Sequence, residues 1–366
     1  MRARLVIQML SILLVSMCTV LIVRIYRLPS RSLAPRAAPP VRRNEVRLPN
    51  LHQWQYSNNP YVGKVHAVEE FAAFQIEANP AMSRPTSSDL PRVLILSLAF
   101  NRLSFGGGDR SLADFLDMIQ SLDYPKELLS LGILISSQRD FDRLMPIVSS
   151  FVQTQGLQRG SLFLREADRS GSIRDHRGRS GQTQRRSHIA KLRNELLFRS
   201  LDNEDAVLWI DSDIIDVPHD MLKKFVVSGL DIITPFCRKG TVGLRNHDLN
   251  AWSGKRTRPS PEQLRAIHSG EPTDYVPRHS NSHLVNNMYD DGLERAPLDS
   301  VGGTVLYVKA KVHRAGVIFP PFHLIGTDWD SEDGGYDGIE TEGVCYMART
   351  VGYRCWAMPQ VIVSHG

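Results

Sequence analysis

The stretch Val-Leu-Trp-Ile-Asp-Ser-Asp-Ile-Ile-Asp-Val-Pro, residues 207–218, ends an apolar run with two carboxylates one residue apart. With Ala206 it contains five consecutive apolar residues, a segment typical of a strand buried on both faces of a sheet. The Asp-x-Asp spacing alone is weak, because it occurs three times, at 140/142, 211/213 and 328/330. Only the middle copy follows such a run. We therefore predict that Asp211 and Asp213 lie at the end of a buried strand.

From residue 92 onward the chain alternates apolar runs with helical periodicity. This alternation predicts an α/β domain in which helices cover a central sheet. The predicted strands are 93–98, 131–136, 161–164, 206–210, 231–235 and 304–308, and the predicted helices are 110–121, 141–152, 188–201 and 218–227. Ligands of open α/β sheets bind beyond the carboxyl ends of the strands, which is where the acid pair is expected.

The N-terminal part of the chain has a different composition. Residues 5–23 form an uncharged, mostly apolar stretch, and about 20 such residues span a bilayer as a helix. A cleaved signal peptide is the alternative, but its apolar region is usually about 7–15 residues long. The proline-rich segment that follows predicts an extended stem. The expected order is a short tail at 1–4, a transmembrane anchor at 5–23, a stem at 24–90 and the main domain at 91–366.

The overall charge bears on the class of partner. The 366-residue chain has a formal net charge of +5 and 42% hydrophobic residues, enough for a large core. Much of the positive excess lies in residues 24–47, beside the predicted anchor. A basic segment in that place fits a membrane surface better than a nucleic acid. We therefore expect no nucleic-acid partner.

Cysteine content limits the possible disulfides. Cys18 lies within the predicted anchor, which leaves Cys237, Cys345 and Cys355. Three cysteines allow at most one intramolecular disulfide. Cys345 with Cys355 is the most local pair, although the sequence leaves the pairing open.

The acid pair suggests a specific chemistry. Alternate residues of a strand point the same way, so Asp211 and Asp213 are expected to direct both carboxylates to one point. Two carboxylates held close together repel unless a proton or a cation lies between them. Oxygen ligands favour Mg²⁺ or Mn²⁺, which commonly join carboxylates to a substrate diphosphate. The pattern therefore predicts a metal and diphosphate site of the glycosyltransferase kind.

Two alternatives for the acid pair stay open. In one, Asp211 caps the following turn and Asp213 is a solvated surface residue. In the other, the protein is an Asp-x-Asp phosphatase whose first aspartate attacks phosphorus. Such enzymes usually carry that aspartate on their first strand, whereas over a hundred α/β residues precede Asp211 here.

A polar stretch at 169–186 is dense in Arg, Gly and Ser. It is interpreted either as a solvated loop or as a basic loop that closes on a phosphorylated ligand. The second interpretation rests on the forked guanidinium group, which suits phosphate oxygens.

Several motifs in fixed order resemble the fungal mannan polymerase family. They are Ser-Leu-Asp-Tyr-Pro-Lys-Glu-Leu at 121–128, Gln-Arg-Arg at 184–186, Ala-Lys-Leu-Arg-Asn-Glu-Leu-Leu at 190–197, Leu-Trp-Ile-Asp-Ser-Asp at 208–213, Asp-Leu-Asn-Ala-Trp at 248–252, Ser-Val-Gly-Gly at 300–303, His-Arg-Ala-Gly at 313–316 with Phe-Pro at 319–320, Ile-Glu-Thr-Glu-Gly at 339–343, and the segment from Gly-Tyr at 352–353 to His365. Together they cover about residues 92–366.

The resemblance implies a fold and an activity. Members of that family are Golgi type II membrane α-mannosyltransferases with a GT-A (Rossmann-like) fold and a mixed central sheet. They use GDP-mannose and a divalent metal, usually Mn²⁺, and extend the α-1,6-linked mannan backbone of N-glycans with retention of configuration. Many act as subunits of hetero-oligomeric complexes. The main domain is accordingly expected in the Golgi lumen, with a mannose-containing N-glycan or mannan as acceptor.

The resemblance also suggests roles for individual residues. Asp211, Asp213 and His365 are expected to bind the metal. Either Glu340 or Glu342 is expected to face the acceptor sugar, where a carboxylate binds or polarises its hydroxyl group; the alternative is an acid-rich helix start, which is favourable by itself.

The residues expected around GDP are the acid pair, Arg193, Gly302 and Gly303, with Arg185, Arg186 and Asn194 as further candidates. Gly302 and Gly303 would allow the backbone to approach the ligand, although a tight turn into the next strand is equally compatible. For Arg193 the alternative is a structural salt bridge.

The sequence departs from the family after the first strand. The usual Thr-Pro-Leu-like turn is replaced by Ser-Leu-Ala-Phe at 97–100, which a glycine-rich segment follows. The divergent loop is thus 99–110. That loop is expected near the nucleotide base, so the departure keeps a second hypothesis open: a non-catalytic subunit that scaffolds an active partner. Linkage, natural acceptor, and initiating or extending activity are not determined by the sequence.

Overall fold

A computed structural model describes residues 61–68, 71–78, 89–106, 109–166, 182–269, 271, 275, 277–324 and 338–366. The predicted tail and anchor, and most of the Arg-rich stretch, lie outside these residues. So does the acid pair at 328/330. Within the described ranges, no helix is both long and apolar enough to cross a bilayer.

The described elements alternate as the sequence predicts. The strands are β1 (Tyr61–Val68), β2 (Phe71–Ala78), β3 (Val93–Ala99), β4 (Leu129–Ile135), β5 (Arg159–Arg165), β6 (Ala206–Ile210), β7 (Ile214–Asp216), β8 (Ile232–Lys239), β9 (Trp252–Ser253), β10 (His283–Leu284), β11 (Ala296–Leu298), β12 (Val305–Lys309) and β13 (Cys355–His365). The helices are α1 (Leu112–Gln120), α2 (Gln138–Gln155), α3 (Gln182–Ser200), α4 (Met221–Ser228), α5 (Pro261–Ser269), α6 (Val285–Asp290), α7 (Ala310–Arg314) and α8 (Thr341–Thr350).

A mixed sheet organises the domain, as predicted. Eleven of the described strands form it in the order β1-β2-β5-β4-β3-β6-β12-β8-β13-β11, with β7 paired to β13. Strands β5, β4, β3 and β6 are mutually parallel. Strand β12 is antiparallel to β6 and β8, and β13 is parallel to β8. The carboxyl ends of β3, β4, β6, β8 and β13 therefore share one edge with the beginning of β12.

Strand β6 lies in the middle of the core because both of its faces are apolar. All five of its residues are buried. Leu208 and Ile210 pack in the apolar cluster that includes α1 and α2, whereas Val207 and Trp209 pack in the cluster that includes α3 and α8. Burial of each large apolar side chain contributes about 1.5–3 kcal/mol. This packing fixes the position of the acid pair that follows.

Two features differ from the sequence prediction. Strands β1 and β2 form an antiparallel hairpin that joins β5, so the sheet already begins within the segment 24–90 predicted as a stem. Helix α2 begins at Gln138, before the predicted start, because the Ser137 side chain caps it by accepting a hydrogen bond from the Asp140 amide. It continues through Pro146.

A disulfide joins Cys345 of α8 to Cys355 at the start of β13, with the two Cα atoms 5.7 Å apart. It is the most local of the pairs that the sequence allows. Cys237 is a free, buried thiol.

Candidate active site

The acid pair lies at the carboxyl edge of the sheet, directly after β6. The Asp211 amide donates to the Thr304 carbonyl at 2.8 Å, which extends the pairing between β6 and β12 by one residue. The Ile214 amide then donates to the Asp211 carbonyl, and the Gly366 amide donates to the Asp213 carbonyl. These backbone bonds close a turn between β6 and β7. The side chains of Asp211 and Asp213 are 33% and 44% exposed.

A cavity of about 620 Å³ opens at this edge. Its walls come from the ends of β3 and β4, from α3, from the turn after β6, from 247–250 and from the residues before β12 and α8. Of the predicted site residues, it is lined by Arg193, Asp211, Asp213, Gly303, Glu340 and His365. Gly302 and Glu342 are buried beside it. The fold thus brings together residues that are far apart in the sequence.

Asp213 and His365 form a close pair. The His365 Nε2 atom lies 3.0 Å from Asp213 Oδ2, and His365 Nδ1 lies 2.7 Å from the backbone oxygen of Gly366. An oxygen at that position accepts a hydrogen bond from the Nδ1–H group, so Nε2 is the nitrogen presented to the carboxylate. The His247 ring stacks on His365 with centroids 3.6 Å apart. The orientation of the His365 ring is therefore held from two sides.

The pKa values of this pair move in opposite directions. Burial disfavours the charged form of His365, but the hydrogen bond and charge of Asp213 outweigh it and raise the histidine pKa. Burial likewise disfavours the Asp213 carboxylate, yet His365 lowers the pKa of that group overall. Both shifts favour the ion pair between a protonated His365 and an ionised Asp213.

Arg193 connects the first acid to the glutamate across the cavity. One guanidinium nitrogen, Nη2, lies 2.8 Å from Asp211 Oδ1 and 3.1 Å from the Gly303 carbonyl oxygen. Nε lies 3.1 Å from Glu340 Oε1. The residue is only 3% exposed, and its guanidinium lies 5.3 Å from the ring centroid of Trp209. Arg193 is thus a buried link between two carboxylates.

The pKa of the Asp211 carboxyl group is raised by its surroundings. Burial raises its pKa to about 7; Arg193 opposes this shift, while the charges of Asp213, Glu340 and Asp248 add to it. One arginine therefore does not balance the carboxylates gathered here. A further cation would be stabilised at this edge of the sheet.

Of the three predicted metal ligands, Asp213 and His365 lie side by side, whereas Asp211 is paired with Arg193. In the described part of the chain, no group of three His, Cys, Asp or Glu side chains is arranged so that it could hold a metal ion. Asp213 Oδ2 and His365 Nε2, however, are 3.0 Å apart, and two ligands at right angles on a Mg²⁺ with bonds of about 2.1 Å are also about 3 Å apart. Asp211 lines the same cavity but faces Arg193. Asp213 and His365 could thus supply two donor atoms to a divalent metal, and its other ligands would have to come from elsewhere.

Gly302 and Gly303 permit close packing around the acids. A Cβ atom at Gly302 would lie 1.7 Å from Asp248 Oδ2, and one at Gly303 would lie 2.8 Å from Arg193 Nη2. Asp248 in turn accepts a hydrogen bond from the Thr304 hydroxyl at 3.1 Å. Both glycines therefore serve to seat these neighbouring side chains. Their predicted contact with the nucleotide stays a prediction.

The sequence left open whether Glu340 or Glu342 faces the acceptor, and the structure places the two side chains differently. Glu340 lines the cavity and has a φ of 57° and a ψ of −128°. Among the described residues it is the only non-glycine with a positive φ, and such strain is most often found at functional sites. Glu342 is 1% exposed, with Oε1 2.5 Å from Arg186 Nη1. Glu340 is thus the one placed to meet a ligand.

Sequence reasoning assigned no role to several residues of the cavity. They are His247, Asp248 and Arg278. The only signal for Asp248 was its place in the motif at 248–252. The stacking of His247 on His365 depends on the pairing of β8 with β13, which the sequence does not reveal.

The family model Anp1 matches residues 74–323, which is more than half of the chain. The chain belongs to the Anp1 family. This confirms the resemblance inferred from the motifs.

Two relatives carry names that describe complexes. The chain is 29% identical to the mannan polymerase complex subunit mnn9 of Schizosaccharomyces pombe over 264 residues, covering 67% of this chain and 73% of the relative. It is 27% identical to the mannan polymerase complex subunit MNN9 of Candida albicans over 275 residues, covering 69% and 71%.

A solved structure, the mannosyltransferase PcManGT from Pyrobaculum calidifontis in complex with GDP-Man and Mn²⁺, is similar with a TM-score of 0.41 and 16% identity. The match covers 78% of this Anp1-family chain and 59% of that protein.

Proposed function

We propose that this chain is a metal-dependent GT-A glycosyltransferase that transfers mannose from GDP-mannose to a hydroxyl group of a mannose-containing N-glycan or mannan. The observation that carries the proposal is the cavity in which Asp211, the Asp213–His365 pair and Glu340 meet at the carboxyl edge of the sheet. Membership of the Anp1 family, and the mannan polymerase names of its relatives, support the class of sugar. An α-1,6 linkage and retention of configuration are part of the proposal and rest on the resemblance.

The acids and the histidine would hold the metal. Asp211, Asp213 and His365 would bind Mn²⁺ or Mg²⁺, whose charge would stabilise the departing diphosphate. His365 is suited to this role because its Nδ1 is hydrogen-bonded to the Gly366 oxygen. Its Nε2 is therefore the atom that faces Asp213 Oδ2. Arg193 forms ion pairs with both Asp211 and Glu340 and lines the same cavity, so it would hold the two carboxylates at a fixed separation.

Glu340 would act on the acceptor. Its carboxylate is 13% exposed and lines the cavity. An acceptor hydroxyl that donates a hydrogen bond to this carboxylate would be oriented and made a better nucleophile.

The test uses the purified full chain with a panel of nucleotide sugars, namely GDP-mannose, GDP-fucose, UDP-glucose and UDP-N-acetylglucosamine. Each is incubated with a mannose oligosaccharide acceptor, with Mn²⁺, with Mg²⁺ or with a chelator. We expect transfer from GDP-mannose only, lost with the chelator and lost in Asp213→Ala. Equal or faster turnover of another donor, or transfer that ignores the chelator, would disprove the proposal.

A second candidate is a non-catalytic subunit that scaffolds an active partner. One observation favours it: the Asp211 carboxylate is already engaged by Arg193, at 2.8 Å. Binding of GDP-mannose without transfer, with transfer restored by adding a partner subunit, would support this candidate. Release of phosphate from a generic phosphomonoester would instead support the Asp-x-Asp phosphatase, although β6 is the sixth described strand and not the first.

The cellular setting is also a proposal. A type II Golgi membrane protein would have residues 5–23 in the membrane and the domain in the lumen. The Cys345–Cys355 disulfide supports an oxidising compartment. Protease protection of the domain in intact microsomes, lost on detergent treatment, is the expected result, and digestion without detergent would contradict it. A hetero-oligomeric mannosyltransferase complex is proposed as partner.

A further inference from the structure

Two arginines of α3 face two glutamates at the start of α8. Arg186 and Arg193 are seven residues apart, which is about two helical turns, so they lie on the same face of α3. Arg186 Nη1 is 2.5 Å from Glu342 Oε1, and Arg193 Nε is 3.1 Å from Glu340 Oε1. The two ion pairs therefore join the same two helices.

The four side chains are not equally accessible. Arg186, Arg193 and Glu340 line the cavity. Glu342 does not, and its side chain is only 1% exposed, against 23% for its partner Arg186. A carboxylate so deeply buried is costly unless it is paired with a positive charge. The Arg186–Glu342 pair is therefore a strong constraint on where the start of α8 can lie.

The turn at 338–343 is packed so tightly that it has little freedom. A Cβ atom at Gly338 would lie 2.2 Å from the Glu342 Cβ, and one at Gly343 would lie 2.5 Å from the Gly338 carbonyl oxygen. Between them Glu340 adopts its φ of 57°. A non-glycine residue stays in this region only when its surroundings hold it there.

We propose that Arg186 and Glu342 are positioning residues whose ion pair holds the 338–343 turn against α3 and thereby keeps the Glu340 carboxylate in the cavity. Glu342 then acts through Glu340 and not on a ligand. The inference rests on the proposed function, since it assumes that Glu340 meets the acceptor.

A structural role alone would make a different prediction, and the chain offers a matched control. Arg159 and Glu204 form a similar pair at 2.6 Å, with exposures of 14% and 1%. Arg159 lies on β5 and Glu204 precedes β6 at its amino end, the opposite end from the acid pair. Neither residue belongs to the cavity lining. Glu204→Gln removes a buried carboxylate of the same kind without touching the 338–343 turn.

The experiment measures transfer from GDP-mannose by the full chain carrying Glu342→Gln, Arg186→Gln, both changes, or Glu204→Gln. We expect Glu342→Gln to lower kcat about tenfold or more, because small displacements of a reacting group are costly in rate, with the KM for GDP-mannose within about twofold. The double variant should lose less than the product of the two single losses, as expected for coupled partners. Glu204→Gln should lower thermal stability and leave kcat unchanged. If Glu342→Gln does not fold, Glu342→Asp, which keeps the charge on a shorter side chain, takes its place with a smaller expected loss.

Hydrogen–deuterium exchange gives a measurement that does not depend on transfer. The amides of 338–343 should exchange faster in Glu342→Gln than in the unmodified protein, and at an unchanged rate in Glu204→Gln. Active unmodified protein together with an unchanged kcat in Glu342→Gln, or an equal loss in Glu204→Gln, would overturn the inference alone. An unmodified protein without transfer would overturn the proposed function, and unchanged exchange at 338–343 would then still decide against the positioning role.

Discussion

Arg159 and Arg193 both face carboxylates, but they differ in how many carboxylates share the arginine. Arg159 faces Glu204 at 2.6 Å, where burial opposes ionisation but Arg159 outweighs it and lowers the pKa of Glu204. Arg193 is shared by Asp211 and Glu340, and the pKa of Asp211 is raised to about 7 by burial and by the neighbouring acids. The first site is balanced in charge, whereas the second is not.

The difference separates an ion pair that stabilises the folded protein from a cluster in which carboxylates outnumber the arginine. At the Arg159 site, the ion pair favours the ionised form of Glu204 in the folded state. At the Arg193 site, the excess negative charge destabilises the ligand-free protein and favours any cation that enters. Strained or electrostatically unfavourable groups of this kind are typical of functional sites.

The largest expected effect comes from breaking the balanced pair. Glu204→Gln leaves Arg159 without its buried partner, which we expect to lower the free energy of unfolding by about 3–5 kcal/mol at pH 7. Because the folded-state pKa of Glu204 is lowered, its contribution is present above the unfolded-state pKa and is lost as the pH falls through the folded-state value. Urea unfolding of both proteins from pH 7 to pH 4 measures this, and the difference should shrink at acid pH.

The Arg193 cluster provides the contrasting control. The pKa of Asp211 is raised in the folded state, so the folded protein binds more protons than the unfolded chain between pH 4 and pH 7. Stability attributable to this group therefore falls as the pH rises through that range. Metal-free Asp211→Asn should gain stability relative to the unmodified protein as the pH increases, opposite in sign to Glu204→Gln. If the stability of both variants, relative to the unmodified protein, changed in the same direction with pH, the two sites would not differ in the way described.

The second effect concerns transfer. Asp213→Asn should lower kcat/KM for GDP-mannose by about 10²–10³-fold, as for other losses of electrostatic stabilisation at a developing charge. It should do so with little change in thermal stability, since the Asp213 side chain is 44% exposed. The control is Asp142→Asn in the Asp-x-Asp copy on α2, where the exposed carboxylate is hydrogen-bonded by Gln138. Equal losses in the two variants would contradict the assignment of the middle copy.

The third effect sharpens the comparison at the start of α8. Because the Cys345–Cys355 disulfide closes a loop of 10 residues, its removal should cost about 3 kcal/mol of unfolding free energy. Ion pairs to Arg186 and Arg193 still hold the helix start, so transfer by the folded Cys345→Ala/Cys355→Ala protein should stay within about twofold of the unmodified rate if the pairs dominate positioning. Denaturation and initial rates with and without reductant measure both quantities. A rate loss as large as that of Glu342→Gln would assign the positioning to the disulfide.

Much of the fold could be predicted because the central strands are continuous apolar runs. Strand β6 is the clearest case, with five apolar residues that are all buried. The hairpin of β1 and β2 could not be predicted, because it lies in a proline-rich segment and its place depends on pairing with β5. The position of a strand in a sheet is a long-range property that local periodicity does not encode.

The candidate site, too, has one part that local sequence predicts and another that depends on contacts between distant residues. The acid pair follows from local sequence, because a buried strand that ends in two carboxylates is unusual in itself. The salt bridge of Arg193 to Glu340 joins residues 147 positions apart, and that of Arg186 to Glu342 joins residues 156 apart. Nothing local distinguishes Glu340 from Glu342, so only the structure shows which one faces the cavity.

The smallest expected effect concerns the backbone of Glu340. Its φ of 57° and ψ of −128° lie in a region that glycine adopts readily and other residues do not. Glu340→Gly and Glu340→Ala both remove the carboxylate, and both should lose transfer. Only the glycine variant relieves the backbone, so it should unfold with a free energy about 1 kcal/mol higher than that of the alanine variant. Chemical denaturation of the two proteins measures the difference. If the alanine variant were as stable as the glycine variant, the backbone of Glu340 would store no strain, and the ion pairs of α3 would have no strained residue to hold in place.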